Sequence, residues 1–257
     1  MRARPFLTAS LCVLAAAAVA RPPAAPRPPD APRPLAPIIL DPGHGGHDLG
    51  AVANGLQEKD IALAVALKVR ERLAPTLPVR MTRDDDRFVK LDERVVDAAD
   101  WNGAMFVSIH LNQVRSRSTS GATVYSYGAP KTRRRGWRRW LRRRRRAPPM
   151  PAPPRVESAE GGELADAIAT RLRRAGVSAA RERSDYYVLK EPSQPSVLVE
   201  LGYLSNRAEA RRLADPAYQD KLADAIARAV RDFAARRAVQ GEAPSTLAEN
   251  AAAPARL

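Results

Sequence analysis

The chain has 257 residues, a net charge of +15 and a single cysteine. That length suits one α/β domain with a well-buried core, and one cysteine excludes an internal disulfide framework. The charge at first suggests a nucleic-acid binder. Eleven of the fifteen net charges, however, lie in one tract from Lys131 to Arg146, which leaves +4 for everything else and excludes a basic stripe across the fold.

In chain order, Arg2 and Arg4 precede an apolar run from Phe6 to Ala20 that ends in Ala18-Val19-Ala20. This is the pattern of a secretory signal, and the run falls short of the roughly 20 apolar residues a spanning helix needs. Residues 1–20 are therefore read as a signal peptide, placing the exported protein in the periplasm or cell wall. Cys12 lies inside that segment, so the mature protein is expected to carry no thiol. Residues 21–36 form a Pro-rich stretch that reads as an extended linker.

Apolar, mostly β-branched runs predict strands at Pro37 to Leu40, Met105 to His110, Gly121 to Tyr127 and Ser196 to Leu201, with a shorter one at Val79 to Thr82. Helical patterns fall between them, at Lys59 to Leu73, Val89 to Ala99, Glu163 to Arg174 and Lys221 to Ala234. Alternation of this kind predicts a single α/β domain over residues 37–236: a mixed, mostly parallel sheet with helices on both faces and functional groups gathered at strand ends. Residues 237–257 are Ala-rich and unpatterned and read as a flexible tail.

Two of the three histidines stand at the ends of predicted core strands: His44 after Ile-Ile-Leu-Asp-Pro-Gly, and His110 closing Phe-Val-Ser-Ile. Glycines 43, 45 and 46 let the backbone turn beside His44. Glu58 opens the first helix, and the loop Ala51 to Gln57 is short enough to bring it back to the first strand. Two imidazoles and one carboxylate form a known ligand set for catalytic zinc, with a fourth position left for water. Glu200 ends the last core strand, where a desolvated carboxylate needs a compensating partner. Each residue also has a plainer reading: a strand-end cap for either histidine, a helix-dipole partner for Glu58, and a salt bridge for Glu200.

Four ordered blocks carry a family resemblance: Ile-Leu-Asp-Pro-Gly-His-Gly-Gly-His-Asp-Leu-Gly (39–50), Asn-Gly-Leu-Gln-Glu-Lys-Asp (54–60), Ser-Ile-His-Leu-Asn (108–112) and Val-Glu-Leu-Gly-Tyr-Leu-Ser-Asn (199–206). Weaker matches are Thr-Arg-Asp-Asp-Asp (82–86), Leu-Asp-Glu-Arg (91–94) and Asp-Tyr-Tyr-Val-Leu (185–189). Over about residues 37–236 the chain resembles the zinc-dependent N-acetylmuramoyl-L-alanine amidases of bacterial cell walls. The resemblance implies hydrolysis of the amide between the muramic-acid lactyl group and L-alanine of peptidoglycan, in wall turnover or daughter-cell separation. It implies one zinc ion held by His44, Glu58 and His110, and Glu200 as the catalytic carboxylate. His47 is left without a ligand role. Leu111, where the family commonly has alanine, is expected to narrow the substrate groove. The competing reading, a non-catalytic peptidoglycan-binding protein on the same fold, would show as a missing ligand or a missing Glu200, and none is missing.

The basic tract is followed by Ala-Pro-Pro-Met-Pro-Ala-Pro-Pro, so residues 131–154 read as an inserted loop. It is either a solvated surface loop or a binding element that uses Arg133 to Arg146, with Trp137 and Trp140, to meet anionic envelope polymers or lipid headgroups. The resemblance adds a third role, because some family members carry a helix at this place that occludes the zinc site until a partner draws it away. An activator protein is thus an expected partner, and nucleic acid is not.

Overall fold

The apolar run after Pro37 forms strand β1 (Ile38–Pro42), all five residues of it buried. The computed structural model describes residues 36–100, 104–128, 159–189 and 194–239. The signal segment, the Pro-rich linker up to residue 35, the basic insert and the residues beyond Val239 lie outside them. After β1 come β2 (Val52–Ala53), β3 (Leu56–Gln57), helix α1 (Glu58–Leu73), β4 (Val79–Met81), α2 (Leu91–Asp100), β5 (Met105–Asn112) and β6 (Ala122–Tyr127). They are followed by α3 (Ala159–Arg174), β7 (Ala179–Ser184), a 3-10 turn (Tyr187–Leu189), β8 (Ser196–Tyr203), α4 (Arg207–Ala214) and α5 (Pro216–Val239).

Six strands form one sheet in the order β4-β1-β5-β8-β6-β7, while β2 and β3 make a separate antiparallel pair. Within the large sheet every pairing is parallel except that of β6 with β8. The expected mixed, mostly parallel sheet is present, and its two faces are covered unequally. Alternate residues of a strand point to opposite faces. Ile38, Leu40, Val107, Ile109, Val197 and Val199 pack with Val65 and Val69 of α1, Leu164 and Ile168 of α3, and Ile226 and Val230 of α5. Each such side chain, fully buried, contributes about 1.5–3 kcal/mol. The opposite face is thinner, a small cluster of Ile39, Phe106, Tyr127 and Leu198 under the 3-10 turn's Val188 and Leu189.

Two elements escape the hydrophobic pattern. β7 (Ala-Ala-Arg-Glu-Arg-Ser) is an edge strand beyond β6, so only part of its surface is buried and its residues stay polar. α4 is half charged; it buries Glu209, Ala210 and Leu213, and it is started by Asn206, whose side chain accepts from the amides of Ala208 and Glu209. α5 begins at Pro216, five residues before the expected Lys221, because proline suits a first helical position and Asp215 Oδ1 accepts the Ala217 amide at 3.0 Å. It also runs on to Val239, where Arg237 Nη1 donates to the Ala104 carbonyl at 3.1 Å.

Candidate metal centre

The thin face is where the chemistry collects. Register pairs Asp41 with Ser108 and His110 with Glu200 across β1, β5 and β8, and Thr123 of β6 lies opposite Glu200. These residues share the face of Ile39, Phe106 and Leu198, near the C-terminal ends of the parallel strands. His44 and Glu58 must then be carried to this place by the chain between β1 and α1.

Two devices do so. His44 takes a left-handed backbone conformation (φ 59°), which for a non-glycine residue costs on the order of 1 kcal/mol or more and persists only when its surroundings enforce it. Here Arg94 Nη2 donates to the His44 carbonyl at 2.6 Å, and Gly45 and Asp48 exchange backbone hydrogen bonds. Behind the loop, buried Arg83 donates to the carbonyls of Pro42, Gly43, Lys59 and Asp85. Glu58 is delivered by the β2–β3 hairpin, whose Asn54-Gly55 tip has positive φ at both residues (52° and 77°), the geometry that lets a two-residue turn reverse a strand.

Asp41 anchors the arrangement. Its carboxylate is fully buried and accepts from Thr82 Oγ1 (2.7 Å), Arg94 Nη1 (2.6 Å) and Ser108 Oγ (2.6 Å). Desolvation alone would raise its pKa, but the Arg94 guanidinium and the two hydroxyls outweigh burial and hold it below the usual carboxylate range.

At the centre, Glu58 Oε1 lies 3.1 Å from His44 Nε2 and 2.9 Å from His110 Nδ1, and the ligand atoms of the three residues all fall within 4.8 Å of one another. Burial works against the Glu58 anion, yet the two imidazoles lower its pKa strongly. Backbone amides complete its shell: Leu111 N donates to Oε1 and Ala51 N to Oε2, at 2.9 and 2.7 Å. Asp48 Oδ2 sits 2.8 Å from His44 Nδ1. With the proton of a neutral imidazole on Nδ1 toward Asp48, the Nε2 lone pair is turned onto the Glu58 oxygen. Two lone pairs face each other at 3.1 Å, an arrangement that only a cation or an extra proton between them makes favourable. The donor set therefore fits a small divalent ion, and His44, Glu58 and His110 form a group able to hold one.

Glycine is required on both sides. A Cβ on Gly43 would stand 2.3 Å from His110 Cε1, and one on Gly50 would stand 2.6 Å from both Glu58 Oε2 and His44 Cδ2. Glu200, only 9% exposed, lines the same cavity of about 470 Å³ as His44, Glu58 and His110. Its Oε2 has no hydrogen-bond partner among the described residues. Burial pushes its pKa up to about 7, with the histidines opposing and Glu58 assisting the shift.

The four residues singled out in the sequence thus meet in one place. His47 stays apart, its ring 4.2 Å from that of Phe88. Leu111 is mostly withdrawn into the core. It is 3% exposed and packs into the three-helix core, it borders the site cavity from there, and its amide donates to Glu58. Sequence reasoning missed Asp48, Asp41 and Arg94. Asp48 carried one legible signal, a carboxylate four residues after His44 in a glycine-rich turn.

Fold and site define a mixed α/β sheet that carries, at its strand ends, a His-Glu-His group able to hold a metal ion beside a buried carboxylate. The chain matches the model of the N-acetylmuramoyl-L-alanine amidases over residues 38–232, and it belongs to that family, which hydrolyses an amide of peptidoglycan. It is 36% identical over 201 residues to the uncharacterized protein YqiI of Bacillus subtilis, covering 76% of this chain and 84% of that one. It is 36% identical over 194 residues to the N-acetylmuramoyl-L-alanine amidase LytC of the same organism, covering 74% of this chain and 34% of LytC. Among solved structures it resembles the CwlD amidase from Clostridioides difficile, determined in complex with the GerS lipoprotein, with a TM-score of 0.64 and 31% identity over 77% of this chain and 98% of that one.

Proposed function

We propose that the chain is a zinc-dependent amidase that cuts between the muramic-acid lactyl group and L-alanine, with His44, Glu58 and His110 as metal ligands and Glu200 as the catalytic carboxylate. The observation that carries this reading is the convergence of three ligand atoms within 4.8 Å beside a buried, unpartnered carboxylate oxygen. Zinc bound there supplies a Lewis acid for the scissile carbonyl and lowers the pKa of water toward neutrality. Asp48 keeps the His44 proton on Nδ1, so that Nε2 remains a ligand. Glu200 takes a proton from the attacking water at Oε2 and returns it to the departing alanine nitrogen. Phe88, Val89, Leu91 and Leu198 give the cavity an apolar side next to these groups.

The substrate lies outside the cytoplasm, in keeping with residues 1–20 as an export signal. Among the described residues no helix is long and apolar enough to cross a membrane. In this reading the 131–154 insert governs location or access to the groove. Deleting it is expected to change envelope attachment or basal activity, and a deletion that changes neither removes both roles.

The test is digestion of purified peptidoglycan by the mature protein. Release of stem peptides with a free alanine N-terminus, abolished by a chelator and restored by zinc, is the expected result. Glu200→Gln should retain stoichiometric metal and lose at least about a hundredfold in turnover, as for removal of a general acid–base. A Glu200→Gln enzyme with near-normal turnover refutes the assignment, and new reducing ends in place of free amines would make the protein a glycosidase.

A further inference from the structure

A second cleft, of about 960 Å³, opens past the far end of β5 and is lined by Arg115 and Arg117 from the β5–β6 connection and by Arg207 and Arg211 of α4. Among the described residues no acidic one lines it. Another surface hollow, near α3 and α5, shows the ordinary pattern instead, three arginines balanced by Glu163, Asp166 and Asp232. None of the four cleft arginines has an ion pair among the described residues, whereas Arg212 beside them pairs with Glu209 at 3.6 Å. Arg207 and Arg211 stand four apart on one helix, a spacing at which like charges repel and weaken the helix. A concentration of cation that costs the fold and neutralises nothing within it calls for an anion from outside.

The walls are tied to each other and to the β2–β3 hairpin that leads into Glu58. Ser205 Oγ donates to the Ser116 carbonyl at 3.3 Å, Asn206 Nδ2 donates to the Thr119 carbonyl at 3.2 Å, and Asn54 Nδ2 reaches the Leu204 carbonyl at 2.7 Å. Gln113, on the cleft wall, follows directly on β5 and lies three residues beyond His110, a span of at most about 10 Å. A peptide leaving the scissile amide in extended form covers that distance in about three residues.

We propose that this cleft binds the peptide half of the substrate through its free carboxylates, the four arginines acting as a carboxylate-recognition subsite. The inference rests on the amidase reading above and adds to it a direction: the sugar side of the scissile bond lies away from α4 and the acidic peptide runs over β5 toward it. Arginine suits the task because its planar fork matches a carboxylate in a bidentate way.

The test compares two soluble muramoyl-peptide substrates, one with free stem carboxylates and one with the same carboxylates amidated, using full-length mature enzyme loaded with zinc. Wild-type enzyme should prefer the free acid, with the advantage in KM, and the preference should shrink as salt rises. In Arg115→Gln/Arg117→Gln and in Arg207→Gln/Arg211→Gln the ratio of kcat/KM for acid over amide should fall about tenfold, with kcat retained and with partial recovery when lysine replaces glutamine. All four side chains are exposed, and circular dichroism shows whether each variant keeps its fold. Equal treatment of the two substrates by wild-type enzyme, or variants whose preference is intact, overturns the subsite. So does competition by inorganic phosphate that weakens both substrates alike, which would assign the cleft to phosphate-bearing polymers. If wild-type enzyme hydrolyses neither substrate with zinc present, it is the amidase reading that fails.

Discussion

Gly43→Ala probes the metal centre without touching a ligand. Gly43 is not among the residues with positive φ, so alanine is conformationally acceptable there and the effect is steric. The new methyl would lie 2.3 Å from His110 Cε1, 2.5 Å from Nδ1 and 2.6 Å from Nε2. Ordinary carbon contacts are about 3.5–4.0 Å, so the imidazole must retreat by about 1 Å or more. A ligand displaced that far no longer converges with His44 Nε2 and Glu58 Oε1. We expect zinc affinity to fall by at least about tenfold, comparable to losing an outer-shell partner, and activity at saturating zinc by on the order of a hundredfold. Overpacking should also lower the stability of metal-free protein by about 1–3 kcal/mol. Competition against a chromogenic chelator gives the affinity, and urea unfolding in chelator gives the stability. Gly55→Ala is the control: its Cβ meets nothing within 4 Å, but its φ of 77° makes alanine strained, so it should cost about 1 kcal/mol and spare zinc affinity. Wild-type zinc affinity in Gly43→Ala would refute the placement of His110 against that glycine.

Asp48→Ala removes the acceptor that fixes the His44 tautomer and should weaken zinc binding about 10–100-fold in the same assay, with little change in fold. Arg94→Leu leaves Asp41 buried beside only two hydroxyls and should cost about 3–5 kcal/mol in urea unfolding, whereas Asp41→Asn/Arg94→Leu should cost less than the sum of the single changes. Because the folded pKa of Asp41 is depressed, its contribution is complete above its unfolded value of about 3.9 and is lost as pH falls through the folded value. Asp41→Asn should therefore flatten the acid limb of the thermal stability of chelated protein. Glu200 has the opposite sign: with its pKa pushed up to about 7, metal-free protein loses stability between the unfolded value and that point as pH rises. Glu200→Gln should remove on the order of 3 kcal/mol of that loss, read as a smaller drop in Tm between pH 4.5 and 8, and an unchanged drop would contradict the desolvated placement of Glu200.

The parts of the fold that were legible are those in which burial writes a pattern. β1, β5 and β8 are buried along nearly their whole length, so their apolar runs stand out, and their ends located His44, His110 and Glu200. β7 and α4 bury too few side chains to leave such a record, since one is an edge strand and the other lies against the end of β8. Leu111 shows the other limit. Its neighbour His110 faces the site, while Leu111 is largely taken into the three-helix core and only borders the cavity, a division that the residue type alone does not announce. Asp41 and Arg94 were both within view, in blocks that were noticed, but their pairing joins β1 to a helix 53 residues later and no local pattern announces it.

The four carbonyls that buried Arg83 satisfies come from the strand end, the loop that carries His44, the first helix and the segment after β4. One side chain thus holds together the pieces whose relative positions determine where His44 and Glu58 stand, and it does so through covalently fixed groups of the protein itself. On the proposed reading, an ion bound there would need little further ordering of the chain, and its binding free energy would go into coordination. On the zinc reading proposed above, metal exchange is then a reversible event on a folded scaffold, and protein stripped with a chelator is expected to regain activity with zinc alone.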